Sequence, residues 1–324
     1  RAKQRQAEVL RRMVEEGYIT ATEAEKAKSD VLQYALSKTD IQAPHFVFYV
    51  RDLLYQKYGE ETVERGGLRV YTTLDLELQK MAQASVSAEV AGLARMRVGN
   101  GAAMITKPNT GEILAMVGSR DYFDTAHDGQ VNVTIALRQP GSSVKPLMYA
   151  TTFEDKTLNP GTVLLDVPTC FAVPGQKDYC PKNYGGDFKG PVSVRQSLGN
   201  SLNITAVKAL TTVGVTRFMQ LANRMGISTW TKPENYGLSL TLGGGEVRMI
   251  DMAQAFGVLA NQGVKVPLTP ILKIEDYQGN VLESVDTAKR QQTLAYLTEN
   301  DDESFSGELE RILHRAPAYL ISHI

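Results

Sequence analysis

Cysteine is almost absent: Cys170 and Cys180 are the only two in 324 residues. Neither has a histidine or a second cysteine pair beside it, which argues against a metal site. In a stretch rich in proline and glycine the two are either a disulfide, if the protein is exported, or a pair of free thiols. No run approaches the roughly 18 apolar residues of a membrane span, and no signal-peptide pattern stands at Arg1, so nothing in the sequence speaks directly of export. Charge of neither sign prevails: the net charge is -1 and the pI is near 6.5, which removes the electrostatic footprint of a nucleic-acid surface. The basic start, residues 1–12, reads as a solvated helix face. There is no internal repeat. What remains is a globular chain with 43% hydrophobic content, long enough for a sizeable core and more than one unit.

Residues 4–16 place Val9, Leu10, Met13 and Val14 on one stripe, with Gly17 at the expected C-cap. Thr20-Ala21-Thr22-Glu23 is a capping box, predicting a second helix to about Leu36. Pro44 opens a helix carrying Phe46, Val47, Val50, Leu53 and Leu54, which Gly59 ends. A strand is expected at 68–73 and a long helix at 74–94. The apolar runs 102–105 and 113–117 flank Lys107-Pro108-Asn109-Thr110-Gly111 and read as a hairpin covered on both faces. Helices are expected at 192–198, 201–213, 215–225 and 249–261, and a hairpin at 271–276 and 281–284. Residues 285–310 are polar and acidic and read as a linker or exposed loop.

The chemistry centres on Pro140-Gly141-Ser142-Ser143-Val144-Lys145-Pro146. A Pro-Gly turn feeding an apolar run puts Ser142 near a helix start, where unpaired N–H groups favour developing negative charge. Lys145, three positions on, faces the same side, and a desolvated amine there can accept the hydroxyl proton. Pro146 predicts a distorted first turn. Ser-x-x-Lys alone is weak, since it arises by chance about once in a chain of this size. A second element, Ser201-Leu202-Asn203, opens a later helical run. Ser201 suits proton relay and Asn203 suits a hydrogen bond to a substrate amide; equally, Ser201 suits an N-cap and Asn203 a turn.

The order of these two motifs behind an apolar hairpin resembles the class A penicillin-binding proteins, the bifunctional cell-wall synthases of bacteria. Met13-Val14-Glu15-Glu16-Gly17-Tyr18-Ile19 is similar to the end of their glycosyltransferase domain. Gly67-Leu68-Arg69-Val70-Tyr71-Thr72-Thr73-Leu74-Asp75 is similar to their interdomain linker. Gly111-Glu112-Ile113-Leu114-Ala115-Met116-Val117-Gly118 and Leu240-Thr241-Leu242-Gly243-Gly244-Gly245-Glu246-Val247 match inside the transpeptidase. The resemblance implies an α+β penicillin-binding transpeptidase or serine β-lactamase-like fold, an antiparallel sheet plus a helical subdomain. It also implies a division into a glycosyltransferase tail (1–40), a helical linker module (41–95) and a transpeptidase domain (96–324).

The implied activity is acyl transfer. Ser142 would attack the D-Ala-D-Ala bond of a peptidoglycan stem peptide and its N–H would serve the oxyanion, with Lys145 as base, Ser201 as relay and Asn203 on the substrate. β-Lactams would acylate the same serine; no cofactor or metal is expected. The parent would sit at the outer face of the bacterial cytoplasmic membrane, using a lipid-linked precursor. The family's Lys-Thr/Ser-Gly strand has no match here, and the chain begins without Met, so a piece lacking the last strands is expected, inactive alone and with the 102–117 hairpin uncovered on one face. Two rivals are a serine β-lactamase, with Glu234 as the water-activating carboxylate, and a non-enzymatic β-lactam receptor.

Overall fold

A computed structural model describes residues 2–29, 41–173, 175, 177–300 and 307–324. The chain divides into two compact units, residues 1–41 and 42–324. In the first, α1 (Ala2–Glu15) ends where Gly17 takes φ 75°, letting Tyr18 N donate to Met13 O and Gly17 N to Val14 O. The basic start is solvated as expected, with Arg11 and Arg12 paired to Glu8 along one exposed face. The capping box opens α2 (Ala21–Ser29): Thr20 Oγ1 accepts from Glu23 N at 3.3 Å and the Glu23 carboxylate accepts from Thr20 N at 2.7 Å. The predicted end near Leu36 lies outside the described residues.

The second unit begins with α3 (Pro44–Tyr58), α4 (Glu60–Arg65), β1 (Arg69–Thr72) and α5 (Leu76–Gly92), whose cap Asp75 accepts from Glu77 N and Leu78 N. The hairpin follows as β2 (Ala103–Lys107) and β3 (Glu112–Val117). A helical region comes next: α6 (Lys145–Glu154), then the ribbon β4 (Val163–Asp166) and β5 (Gly190–Ser193), then α7 (Val194–Gly199), α8 (Asn203–Val213), α9 (Val215–Met225) and α10 (Met249–Ala260). The chain closes with β6 (Val264–Lys265), β7 (Ile271–Glu275), β8 (Val281–Ser284), α11 (Thr287–Asn300), β9 (Glu310–Arg311) and α12 (Arg315–Ser322). All strand pairs are antiparallel: β1-β7-β8 form one sheet, and β2-β3, β4-β5 and β6-β9 are two-stranded.

Both faces of the hairpin are covered. Its register shifts by one residue at Leu114, so Ile113 and Met116 share a face while Ala115 and Val117 share the other. The first face packs on Phe46, Val50 and Leu54 of α3 and Ile274 of β7; the second packs on Ala82 and Val86 of α5. The bulged Leu114 carbonyl accepts from Asp75 N, tying the start of α5 to the strand. An uncovered face is therefore not what this sequence makes, because the amphipathic segments before the hairpin fold back over it.

The expected loop at 285–310 is also overturned over the described part of that range, residues 301–306 lying outside the described residues. It contains α11 and β9, and Leu294, Leu297 and Leu309 pack with Val264 and Val266 as a separate small core. Arg290 on α11 is buried and donates to Thr110 O at 2.8 Å. A helix held by two leucines and one buried arginine has too narrow an apolar stripe to stand out from polar composition.

The main core surrounds α6. Eight of its ten residues are buried, including Leu147, Met148, Tyr149 and Phe153, and they pack against Leu210, Phe218, Met225 and Trp230. A helix enclosed on every side is a rigid support, and Lys145 at its first position is enclosed with it.

Candidate active site

Gly141 takes φ 58°, a conformation that costs a residue with a Cβ and is free to glycine. It starts a 3-10 turn, Gly141–Val144, that passes into α6 at Lys145, with Pro146 in the first helical turn where its missing N–H costs nothing. The distortion expected from Pro146 is this 3-10 turn. Ser143 Oγ donates to Pro140 O at 2.7 Å and so braces the turn. Ser142 is exposed, and its hydroxyl makes no hydrogen bond among the described residues. Its N–H lies in the first turn, where a helix leaves donors unpaired.

The turn is held from behind by a segment that sequence reasoning matched to the family without assigning it a role. Arg138 and Val247 exchange two backbone hydrogen bonds of 2.9 Å. Gly243, at φ 83°, lies so close to Gly141 that a Cβ there would sit 2.2 Å from Gly141 N. Only glycine fits, for both conformation and space. The Gly-rich run 243–245 was the visible signal; its contact partner was not.

Lys145 is 1% exposed and does not donate to Ser142. Its Nζ donates to Ser201 O at 2.6 Å, Asn203 Oδ1 at 2.7 Å and Ser201 Oγ at 3.1 Å. Three protons meet three acceptors. Burial disfavours the charged form and brings the Lys145 pKa down to about 8. At pH 7 roughly a tenth of such an amine is neutral, against a few in ten thousand for an ordinary lysine. Ser201 O and Asn203 Oδ1 can only accept, so they keep two N–H groups of the neutral amine. Its lone pair then falls on the side of the one partner able to reverse its role, the Ser201 hydroxyl.

Ser201 is not an N-cap. It closes α7: Leu202 N donates to Ser197 O and Ser201 N to Leu198 O, both at 2.9 Å, with Ser201 at φ 52°. Glycine is the usual residue in this geometry, so serine is held here against about 1 kcal/mol of strain. Asn203 is not a turn residue but the first residue of α8, and Asn203 Nδ2 donates to Lys182 O at 2.8 Å. Cys170 and Cys180 form a disulfide with Cα atoms 4.2 Å apart, in the same β4 to β5 connection that carries Lys182. Glu234 lies exposed in the 3-10 turn Pro233–Asn235, with no hydrogen bond to any of these residues. Among the described residues no group of histidine, cysteine, aspartate and glutamate is arranged to hold a metal.

The penicillin binding protein transpeptidase domain matches residues 101–300. Penicillin-binding protein 2D of Bacillus subtilis is 32% identical over 289 residues, covering 87% of this chain and 40% of its own length. Penicillin-binding protein 1A of Aquifex aeolicus is 28% identical over 364 residues, covering 87% of this chain and 49% of its own. The chain thus spans less than half the length of these curated relatives. The crystal structure of penicillin-binding protein 1A from Haemophilus influenzae superposes with a TM-score of 0.75 at 22% identity, covering 99% of this chain and 62% of that one, which establishes the α+β transpeptidase fold. With Ser142, Lys145, Ser201 and Asn203 all inside the matched domain, the chain belongs to the penicillin-binding protein transpeptidase family, among the class A proteins that its motifs resemble.

Proposed function

We propose that this chain is the acyl-transfer region of a peptidoglycan D,D-transpeptidase that works through a serine ester. The observation that carries the reading is the buried Lys145, paired to Ser201 and Asn203 and with its pKa lowered to about 8, one turn from a free, exposed Ser142. Ser142 Oγ attacks the carbonyl of the D-Ala-D-Ala bond as its proton passes to the neutral Lys145 amine by way of the Ser201 hydroxyl, which takes it and gives up its own to the lone pair it faces. The Ser142 N–H stabilises the oxyanion. The tetrahedral intermediate expels D-Ala, whose nitrogen gains a proton handed from Lys145 through Ser201. An amine of a second stem peptide then attacks the ester, forming the cross-link and returning the proton to Ser142. Asn203 Oδ1 holds Lys145, and its remaining Nδ2 proton is free for a substrate carbonyl.

A β-lactam follows the first half of this course: ring opening leaves the acyl group on Ser142. In the natural gene product residues 1–40 are the tail of a glycosyltransferase region that polymerises a lipid-linked glycan, and the whole works at the outer face of the bacterial cytoplasmic membrane. No helix of the described residues is long and apolar enough to cross a membrane. Mass spectrometry of the full-length gene product after penicillin treatment tests the reading. The adduct is expected on Ser142; an adduct on Ser143 or Ser201 contradicts it.

A further inference from the structure

The first turn of α8 has no cap of its own, because its N-cap is Leu202. The missing acceptor comes from 20 residues upstream: Asn183 Oδ1 takes Asn203 N at 2.8 Å, with Ile204 N farther off at 3.5 Å. Asn183 is buried, and its amide is fixed in one orientation. Nδ2 donates to the two carboxylate oxygens of Asp166 at 3.0 and 2.9 Å and to Asp187 O at 2.9 Å. Asp166 is fully buried on β4, and its only other donor among the described residues is Lys189 N at 2.9 Å. It has no cationic partner among them. A buried carboxylate with no cation is expensive to keep, and the one side chain it orients is Asn183.

We infer that Asn183, aligned by Asp166, is a positioning residue for acyl transfer: it fixes the α8 start and with it Asn203, and so sets the place and basicity of the Lys145 amine. Asn203 is gripped at three points: its N–H by Asn183, its Nδ2 by Lys182 O and its Oδ1 by Lys145 Nζ. Releasing the first lets the helix start drift from Lys145. Water then reaches the amine, the desolvation that lowers its pKa weakens, and less of it is neutral at pH 7. The groups facing the amine are the Ser201 carbonyl and hydroxyl and the Asn203 amide oxygen, all uncharged; Asp166 stands behind Asn183.

This inference rests on Ser142 and Lys145 acting as proposed above, and the test separates the two. Penicillin acylation of the full-length gene product is timed across pH 6 to 10 for wild type, Asn183→Ala and Asn183→Asp, with a melting curve for each. Wild type is expected to react with a midpoint near pH 8. Asn183→Ala is expected to react at least about tenfold more slowly at pH 7, with its midpoint raised by about a unit. Asn183→Asp removes the Nδ2 donor to Asp166 and Asp187 O and sets a second carboxylate against Asp166, so repulsion pushes the side chain off the α8 start, and the midpoint is again expected to rise. It decides the matter if the alanine variant does not fold. A lowered melting temperature with an unmoved midpoint reduces Asn183 to a structural cap and overturns the inference. No adduct on Ser142 in wild type removes the acyl-transfer reading and this one with it.

Discussion

The two sides of the site are built in opposite ways. On the lysine side the amine is fully committed: Lys145 is buried at the head of an enclosed helix, its three protons are assigned, and the atoms that receive them are held by α7, α8 and the Lys182 carbonyl. On the serine side the backbone is fixed by Arg138, Val247 and Gly243, while the Ser142 hydroxyl is exposed and uncommitted. A base is useful only at a held position and an altered pKa, and both come from burial. A nucleophile must meet an arriving carbonyl, so its support is placed under the backbone and its side chain is left free.

Removing the committed side should have the largest effect. Lys145→Ala is expected to slow acylation by something like the 10²–10⁴-fold of a positioned base; a near-normal rate with labelled penicillin would show that the buried amine is not the base. Disturbing the backbone of the free side comes next. Gly243→Ala combines a disfavoured φ with a clash on Gly141, and is expected to lower stability by about 1–3 kcal/mol and acylation on the order of 10²-fold through displacement of Ser142. Normal kinetics from this variant would mean the turn is not supported from behind.

Ser201→Gly sharpens the contrast because stability and rate should move in opposite directions. Glycine relieves the φ 52° conformation and is expected to raise unfolding free energy by about 1 kcal/mol. Acylation should fall, as the hydroxyl on the lone-pair side of Lys145 is lost. A variant that is no more stable than wild type refutes the strain. The smallest effect belongs to Ser143→Ala, which removes one hydrogen bond to Pro140 O. It should cost about 0.5–1.5 kcal/mol and leave the adduct on Ser142; losing the adduct would reverse the roles of the two serines.

Much of this was legible in the sequence because it depends on local signals. The capping box at Thr20, the glycine stop at Gly17 and the two hairpins each announce themselves within a few residues. Ser142 and Lys145 were visible for the same reason, being three positions apart. Other features depend on partners far along the chain. Nothing near Gly243 says that it will touch Gly141, and nothing near Asn183 says that it will cap a helix beginning at Asn203. The covering of the hairpin by α3 and α5 is not legible because both helices read as a separate module. Helix α11 was missed because two leucines and a buried arginine are enough to hold it. The pattern at Ser201 reads as opening a helix, although its role is to close the one before.

The central claim is that burial turns Lys145 into a base near neutral pH, and the pH dependence of Ser142 acylation tests it most directly. The pKa is lowered, so the neutral fraction grows as pH rises and reaches half at about 8. The rate of β-lactam acylation in the full-length gene product, measured from pH 6 to 10, should climb about tenfold per unit below 8 and level off above it. Lys145→Ala should remove that rise. A profile that is flat across the range, or one that keeps climbing to a midpoint near the ordinary lysine value of about 10.4, would contradict the claim.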